Sequence, residues 1–451
     1  MMVIQMKRLI YFGAALLLLS GCSSMLDDIR PKHAISSEAV NESDLGKLTN
    51  GVLYRMESLA VSFYNDGDYL GENFGDGPGF TYADFHGAIE STSSSWAKSR
   101  WQTGFVVINS INELLKSANS SSADNQATLE AKGTAYFCRA YVYYQLVTRY
   151  GNLPILTSPS MDVVPISKED KVWGQIIADC HEAEKYLGNV SNIYRPSKEA
   201  VWTLLSKAYL WVGDKKNAII YADKVLENTA LKMGTTSNEY ASMFVSGTSS
   251  KEIIFSLANK RSSGFLRIFE YVNDTDASWR YSIAEDLRST LFADGAGTGD
   301  IRKAPTYNEA FPIRIIKFPN GGQGMGQFIA NEDPSASPIQ VFRLADVYLT
   351  KAEAQGATSE GLATMQTFMQ KRYKSVSLPA SMTQKEYENL ILDENNREFY
   401  GEGRRWFDVK RLGRTDLYKT WKGRDHLLYW PIPQDERDLV GHEVYPQNPG
   451  Y

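Results

Sequence analysis

Apolar positions recur at intervals of three and four residues along much of this chain, which predicts a mainly α protein. Leu45, Leu48, Val52, Met56 and Leu59 keep that period and predict a helix over Leu45–Val61, weakened early by Gly46 and Gly51. Trp101, Phe105, Ile108, Ile111 and Leu115 predict a second over Trp101–Ser117. Ala131, Ala135, Cys138, Tyr141 and Val142 share one side of a longer helix, Gln126–Arg149, which Gly151 and Pro154 bring to a stop. Val172–Leu187 is the next.

Ser197–Glu227 has the form of a repeat unit. Trp202, Leu205, Tyr209, Gly213-Asp214, Ala218, Ala222 and Val225 fall on the tetratricopeptide template, with Ser206 at its first small position. The pattern means two antiparallel helices, small residues where they cross and a Gly turn between them. Leu344–Gln355 and Leu362–Tyr373 predict a further pair, and Thr383–Gly413 closes the helical part.

Within that last stretch, Asn395–Gly413 predicts a helix with an apolar side of Phe399, Tyr400, Gly403, Trp406 and Phe407. Gly401 and Gly403 each cost about 1 kcal/mol of helix propensity, so close approach of a neighbouring helix is expected. Arg397, Arg404, Arg405 and Arg411 lie among Glu398, Glu402 and Asp408 at spacings that allow ion pairs along one turn. Gly413 after Lys410 and Arg411 is a C-terminal stop. A partly buried, charge-laced packing helix is expected here rather than a catalytic arginine cluster.

Two regions break the helical period. Phe63–Ser95 is dense in Gly, Asp and aromatics, and between Thr229 and Pro338 only Glu252–Leu257 predicts a short strand. Asp294–Asp300 has the Gly and Asp content of a calcium turn but no EF-hand spacing, so a simple Gly-rich loop is expected. No Gly-Lys-Ser or Gly-Lys-Thr follows the glycines from Gly321 to Gly326, so they form no phosphate loop. Aromatics that match no helical period lack an obvious core role. Tyr82, Trp96, Trp279 and Tyr281 meet that test and are the candidate ligand-binding residues, with Asp84, Asn273, Asp276 and Arg280 close by to hydrogen-bond hydroxyls. The alternative is a satellite core under the long loops.

The first residues are targeting sequence. Lys7 and Arg8 precede Leu9–Leu19, an apolar run of eleven residues. A membrane span needs about 20, whereas a signal peptide has this length. Leu19-Ser20-Gly21-Cys22 then forms a lipobox, with cleavage before Cys22 and lipid on its thiol. Several acyl chains are needed for a stable anchor, and an S- and N-acylated cysteine supplies them. Asp27 and Asp28 resemble an acidic surface-export tag.

Lys plus Arg is 48 and Asp plus Glu is 53, a net charge of −5, which argues against nucleic acid. Nine Trp, 26 Tyr and 19 Phe supply both core and stacking platforms. Cys138 and Cys180 either pair in an oxidising compartment or remain buried thiols. The His residues, His33, His86, His181, His426 and His442, show no metal-ligand spacing, and no motif assigns catalytic roles. No catalytic residue, metal site or cofactor is expected, although 53 acids always leave room for a glycosidase pair.

Arg397-Glu398-Phe399, then Glu402-Gly403-Arg404-Arg405-Trp406-Phe407-Asp408 and Lys410-Arg411, resemble the C-terminal signature of SusD-like (RagB/SusD) lipoproteins. Tyr429-Trp430-Pro431-Ile432-Pro433 and Gln447-Asn448-Pro449-Gly450-Tyr451 resemble the closing motif of the same family. Arg139-Ala140-Tyr141, Asp300-Ile301-Arg302 and Arg343–Leu349 add to the likeness. The resemblance implies a tetratricopeptide-like helix-pair scaffold with a loop-rich excursion carrying short strands. It divides the chain into a signal peptide (1–21), an N-terminal part (22–228), a ligand-binding excursion (229–338) and a C-terminal helical part (339–451). It further implies a lipid-anchored, surface-facing outer-membrane protein that binds an oligosaccharide, in some members a peptide, and passes it to a SusC-like TonB-dependent transporter. The competing expectations are a tetratricopeptide adaptor between proteins and, behind it, a glycoside-processing enzyme.

Overall fold

The computed structural model describes residues 44–64, 66–75, 90–121, 125–160, 162–245, 247–259, 282–308, 314–318, 337–418 and 423–451. The chain opens with α1 (Leu45–Phe63) and the short α2 (Asp66–Leu70). Two long helices follow, α3 (Ser95–Ser120) and α4 (Gln126–Tyr150). Next come α5 (Glu169–Tyr186) and the pair α6 (Lys198–Trp211) and α7 (Lys215–Leu226). Three short helices occupy the middle of the chain: α8 (Ser237–Ser242), α9 (Glu285–Arg288) and α10 (Lys303–Thr306). The C-terminal part holds α11 (Leu344–Gln355), α12 (Ser359–Met369), α13 (Gln384–Phe399), α14 (Arg405–Arg411) and α15 (Gln434–Val440). The fold is mainly helical, as the apolar period predicts.

Successive helices pack as neighbours from α3 through α7, and α11 continues the series by packing on α7 and then on α12. The α6–α7 crossing shows why its residues are small. Ser206, Ala208, Ala218 and Ala222 are all fully buried there. The Ser206 hydroxyl donates across the crossing to the Ala218 carbonyl at 2.7 Å. Gly213 turns the chain with φ +80°, and Asp214 caps α7 by accepting from the Asn217 amide. Cys138 and Cys180 are buried free thiols, not a disulfide.

Among the described residues the strands form five two-stranded antiparallel ladders. β1 (Phe74–Gly75) pairs with β5 (Ser282–Ile283), and β2 (Leu153–Pro154) with β3 (Ile166–Ser167). β4 (Ile253–Leu257) pairs with β9 (Ile339–Arg343), both fully buried. β6 (Gly297–Asp300) pairs with β10 (Tyr373–Val376), and β7 (Tyr307–Asn308) with β8 (Arg314–Ile315). The stretch expected as a Gly-rich loop or calcium turn therefore ends in strand β6. The Asp300 carboxylate there is held by the Arg302 guanidinium at 2.7 Å. Among the described residues no group of three or more His, Cys, Asp or Glu is placed to hold a metal ion.

The expected helix over Asn395–Gly413 is two helices. α13 ends at Phe399, residues 400–404 turn, and α14 begins at Arg405. Gly401 and Gly403 sit at φ +78° and +74°, a backbone region that glycine enters without a Cβ clash. The expected stop at Gly413 is present, at φ +64°. The expected helix over Leu362–Tyr373 also stops early, at Met369, because Arg372 and Tyr373 turn inward.

Both breaks serve one object. Glu398, at the end of α13, is fully buried and accepts from three arginines. Arg372 bonds it at 2.8 and 2.9 Å, Arg343 at 2.5 Å and Arg302 at 3.2 Å. Arg343 also reaches Glu252 and Glu402, and Arg372 also pairs with Glu252. Arg302 reaches Glu394 at 2.9 Å, and Tyr373 donates to the same carboxylate. Lys317 donates to Glu402 at 2.7 Å and to the Glu398 and Tyr400 carbonyls. These four cations and four carboxylates all have side chains at 0 % exposure, so the buried charges balance. Burial alone would raise the Glu398 carboxyl, but Arg372, Arg343 and Arg302 hold it well below the usual carboxylate range. Removing one partner of such a set strands the others without water. Glu398→Gln, which keeps the shape, is therefore expected to destabilise the fold by about 3–5 kcal/mol, read from urea unfolding midpoints. An unchanged midpoint would show that the network does not depend on that charge.

Candidate ligand-binding face

The segments singled out for their aromatics are tied together at their bases. Gly75 and Ser282, which border residues 76–89 and 260–281, are cross-strand partners in the β1–β5 ladder. The Ala284 amide donates to the Asn73 carbonyl at 3.0 Å, and the Tyr400 hydroxyl donates to the same oxygen at 2.8 Å. At the next boundary the Asn259 amide side chain donates to the Ser337 carbonyl at 3.0 Å. Asn259 borders residues 260–281 and Ser337 borders 319–336, so the described residues next to those two stretches lie side by side. Phe318, at the other end of 319–336, packs edge-on against Tyr64 and Phe244. The residue before it, Lys317, is pinned by the buried charge network. Burial pushes the Lys317 amine down to about 8 against the pull of Glu402.

Of the four candidate residues, Trp96 lies among the described ones; Tyr82, Trp279 and Tyr281 do not, nor do Asp84, Asn273, Asp276 and Arg280. Trp96 is not a loop residue as expected. Ser94 caps α3 by accepting from the Ala97 amide, which puts Trp96 in the first helical turn. The helix starts six residues before Trp101 because this cap, not the apolar period, defines its end. The half-buried Trp96 ring meets Tyr69 edge-on at 6.4 Å, and the Arg100 guanidinium lies 4.2 Å from its centre. Tyr69 meets Phe74 at 5.4 Å, and Phe74 meets Tyr400 at 6.1 Å. Tyr64, Tyr69 and Phe74, expected in a loop, are instead buried core. Trp96 thus stands at the edge of an aromatic floor that continues into the β1–β5 ladder.

The sequence pattern missed α2, which carries the charged part of this floor. Asp66 is fully buried and accepts from Arg100 at 2.9 Å and Arg149 at 2.9 Å. Arg149 is held over the rings of Phe63 and Phe407. Asp68, equally buried, accepts from the Asn73 side chain and the Gly403 amide. A Cβ on Gly67 would come within 2.1 Å of the Gly403 carbonyl oxygen, so only glycine fits. Close approach was expected for Gly403; its partner, Gly67, was not visible because α2 is a single short turn amid Gly and Asp.

Two family models match the chain. One, described as starch-binding and associating with the outer membrane, covers residues 79–210; the other, the SusD family itself, covers residues 297–429. The chain belongs to the SusD/RagB family. SusD-like protein P2 of Formosa agariphila is 23 % identical to it over 99 % of this chain and 100 % of that protein. The starch-binding protein SusD of Bacteroides thetaiotaomicron is 30 % identical over 183 residues, which is 37 % of this chain and 31 % of that one. A laminarin-binding SusD-like protein superposes with a TM-score of 0.69 at 21 % identity, covering 91 % of this chain and 100 % of that one. The stretch that resembles the SusD/RagB signature, Arg397–Arg411, runs from the end of α13 through α14 and contains the turn that the charge network and Asp68 shape. Among the described residues no helix is long and apolar enough to cross a membrane.

Burial pushes the Asp68 carboxyl up to about 7, despite the hydrogen bonds from Gly403 and Asn73. The folded state therefore binds this proton more tightly than the unfolded chain does. The stability it brings is complete below about pH 4 and is lost as pH rises towards 7. Lys410 acts in the opposite sense and at higher pH, since burial pushes its amine down to about 7 and stability rises from there towards pH 10. Asp68→Asn is expected to flatten the decline in melting temperature between pH 4 and 7. An unaltered decline would assign it to other groups.

Proposed function

We propose that this protein is a glycan-binding lipoprotein of the cell outer membrane, anchored through Cys22 and facing outward. It captures an oligosaccharide and hands it to a SusC-like TonB-dependent transporter. The observation that carries the binding role is the common base of the aromatic-rich segments, with Trp96 at the edge of its floor. A sugar ring offers one face of C–H groups and an edge of hydroxyls. It calls for a flat ring beside a few fixed polar groups. Trp96, Tyr82, Trp279 and Tyr281 are proposed to supply the rings. The starch-binding SusD and the laminarin-binding relative support a carbohydrate as the ligand class. Residues 229–338 are proposed as the binding excursion, between the scaffold parts 22–228 and 339–451.

The adaptor alternative needs an open groove lined by the first helices of the repeat pairs. Here α14 and the turn before it fill that place. Lys410 donates to the Thr148 carbonyl of α4, and Arg411 lies over Trp211 of α6 and pairs with Glu353 of α11. Arg404 pairs with Asp346 of α11, which also holds Lys207 of α6. The chain's own signature segment thus occupies the surface an adaptor would offer.

Isothermal titration of the purified protein against soluble oligosaccharides identifies the ligand. Trp96→Ala and Trp279→Ala, made singly, are then expected each to lose about 1–3 kcal/mol of affinity, by analogy with base–aromatic stacking. Full affinity in both, with the circular dichroism spectrum intact, would remove this face from consideration. Cys22→Ala is expected to abolish palmitate incorporation and release the protein from the membrane fraction. Labelling that persists in this variant would refute the anchor.

A further inference from the structure

We propose that a cavity between the helix pairs and the Glu402–Arg411 segment is a binding site for a small carboxylate anion, separate from the glycan face. The cavity measures about 70 Å³ and lies where α1, α4, β9 and α14 converge. A water needs about 10–15 Å³ on this scale, so the space suits about five waters or one molecule of similar bulk, not a sugar ring. A narrower cavity of about 10 Å³ adjoins it and shares Tyr144, Lys207, Asp408 and Arg411 with its wall.

The ligand class follows from which hydrogen-bonding groups in the wall are still free. The carboxylate and amide oxygens of the wall each already accept at least one donor. Glu402 takes Lys317 and Arg343, and Asp408 takes Arg411. The Gln145 oxygen takes Arg149, and the Gln340 oxygen takes the Ser256 hydroxyl. Donors are left over. The Tyr64 hydroxyl is buried with no partner, in a residue only 7 % exposed. Burial raises its pKa well above the usual phenol value, so it stays an O–H donor. Lys207 spends one proton on Asp346 at 3.1 Å, a carboxylate it shares with Arg404 and with the Arg343 amide. Its side chain is 17 % exposed, so it lies within reach of solvent. Burial pushes its amine down against the pull of Asp346, and a bound anion would relieve that cost. A buried unpaired hydroxyl and an under-compensated ammonium are both costly, and one small acceptor-rich anion satisfies both. The apolar side of the wall, Leu59, Phe63 and Phe342, suits a short alkyl group.

Acetate is the probe, and acetamide, equal in shape but uncharged, is its control. Saturation transfer from the purified protein to the acetate methyl group is expected, with little transfer to acetamide. Lys207→Gln and Tyr64→Phe are each expected to weaken acetate binding about tenfold, the loss that follows from one hydrogen bond to a charged group. Tyr64→Phe removes a hydroxyl that bonds nothing, so its fold is expected to stay intact and the test remains valid if Lys207→Gln unfolds. Equal transfer to acetate and acetamide, no transfer at all, or unchanged acetate binding in Tyr64→Phe would each overturn the proposal and leave a cavity that holds water. These outcomes are read apart from the glycan face, because its described ring, Trp96, is not part of the cavity wall and Tyr64 meets that face only at its base, through Phe318.

Discussion

The carboxylate of Glu398 is the constraint on which the C-terminal half of this structure depends. It receives three arginines, from before α10, from the end of β9 and from after α12. An isolated ion in such a place is prohibitively costly, and even a good pair contributes little net stability over an apolar alternative. What the set supplies is geometry: each cation has its counter-charge in one arrangement of the chain. Glu252 must arrive with β4, Arg343 with β9 and Glu402 with the turn before α14. The backbone is drawn in as well, since Lys317 and Tyr240 both donate to the Glu398 carbonyl. Charge, turn and strand placement are thus one feature rather than three.

How much of this could be read in advance depended on the range of the interactions. The long helices were legible because each buries a stripe of its own residues, and period alone reveals a stripe. Caps sharpen that picture where they are local, as at Thr383, whose capping box with Glu386 starts α13. The missed features are those set by distant partners. Nothing near Gly401 says that Lys317 waits to take the carbonyl before it, and nothing near Gly67 says that Gly403 will lie against it. Helical periodicity carried on through Tyr400 because apolar and charged residues alternate there as they would on a helix. Of the candidate site, Trp96 was legible as an aromatic with a polar neighbourhood. Its place in a capped helix was not, because the apolar stripe of α3 begins one turn later.

The arginines and acids of the family signature looked like a helix surface, yet most of their partners lie far away in the chain. One i to i+3 pair expected from spacing does occur, Arg411 with Asp408, and Arg397 makes another with Glu394, an acid outside the expected set. They sit at the margins. The residues between them, Glu398, Glu402 and Arg404, reach across to other elements, which is how one segment both closes the repeat groove and anchors the base of the candidate ligand-binding face.

That base is slight where it matters. The β1–β5 ladder is two residue pairs long, too short to stand by itself, and it is held by Phe74 and Ile283 on the buried side. Chain length beyond such a clamp is thermodynamically cheap, since doubling a loop costs only about 0.6 kcal/mol in closure entropy. Closure entropy therefore sets little limit on the length of the stretches that leave Gly75 and enter Ser282. On the proposed reading, ligand preference rests in residues 76–89 and 260–281, and exchanging those two stretches while keeping α3–α8 between Gly75 and Ser282 is the route by which such a protein changes its diet.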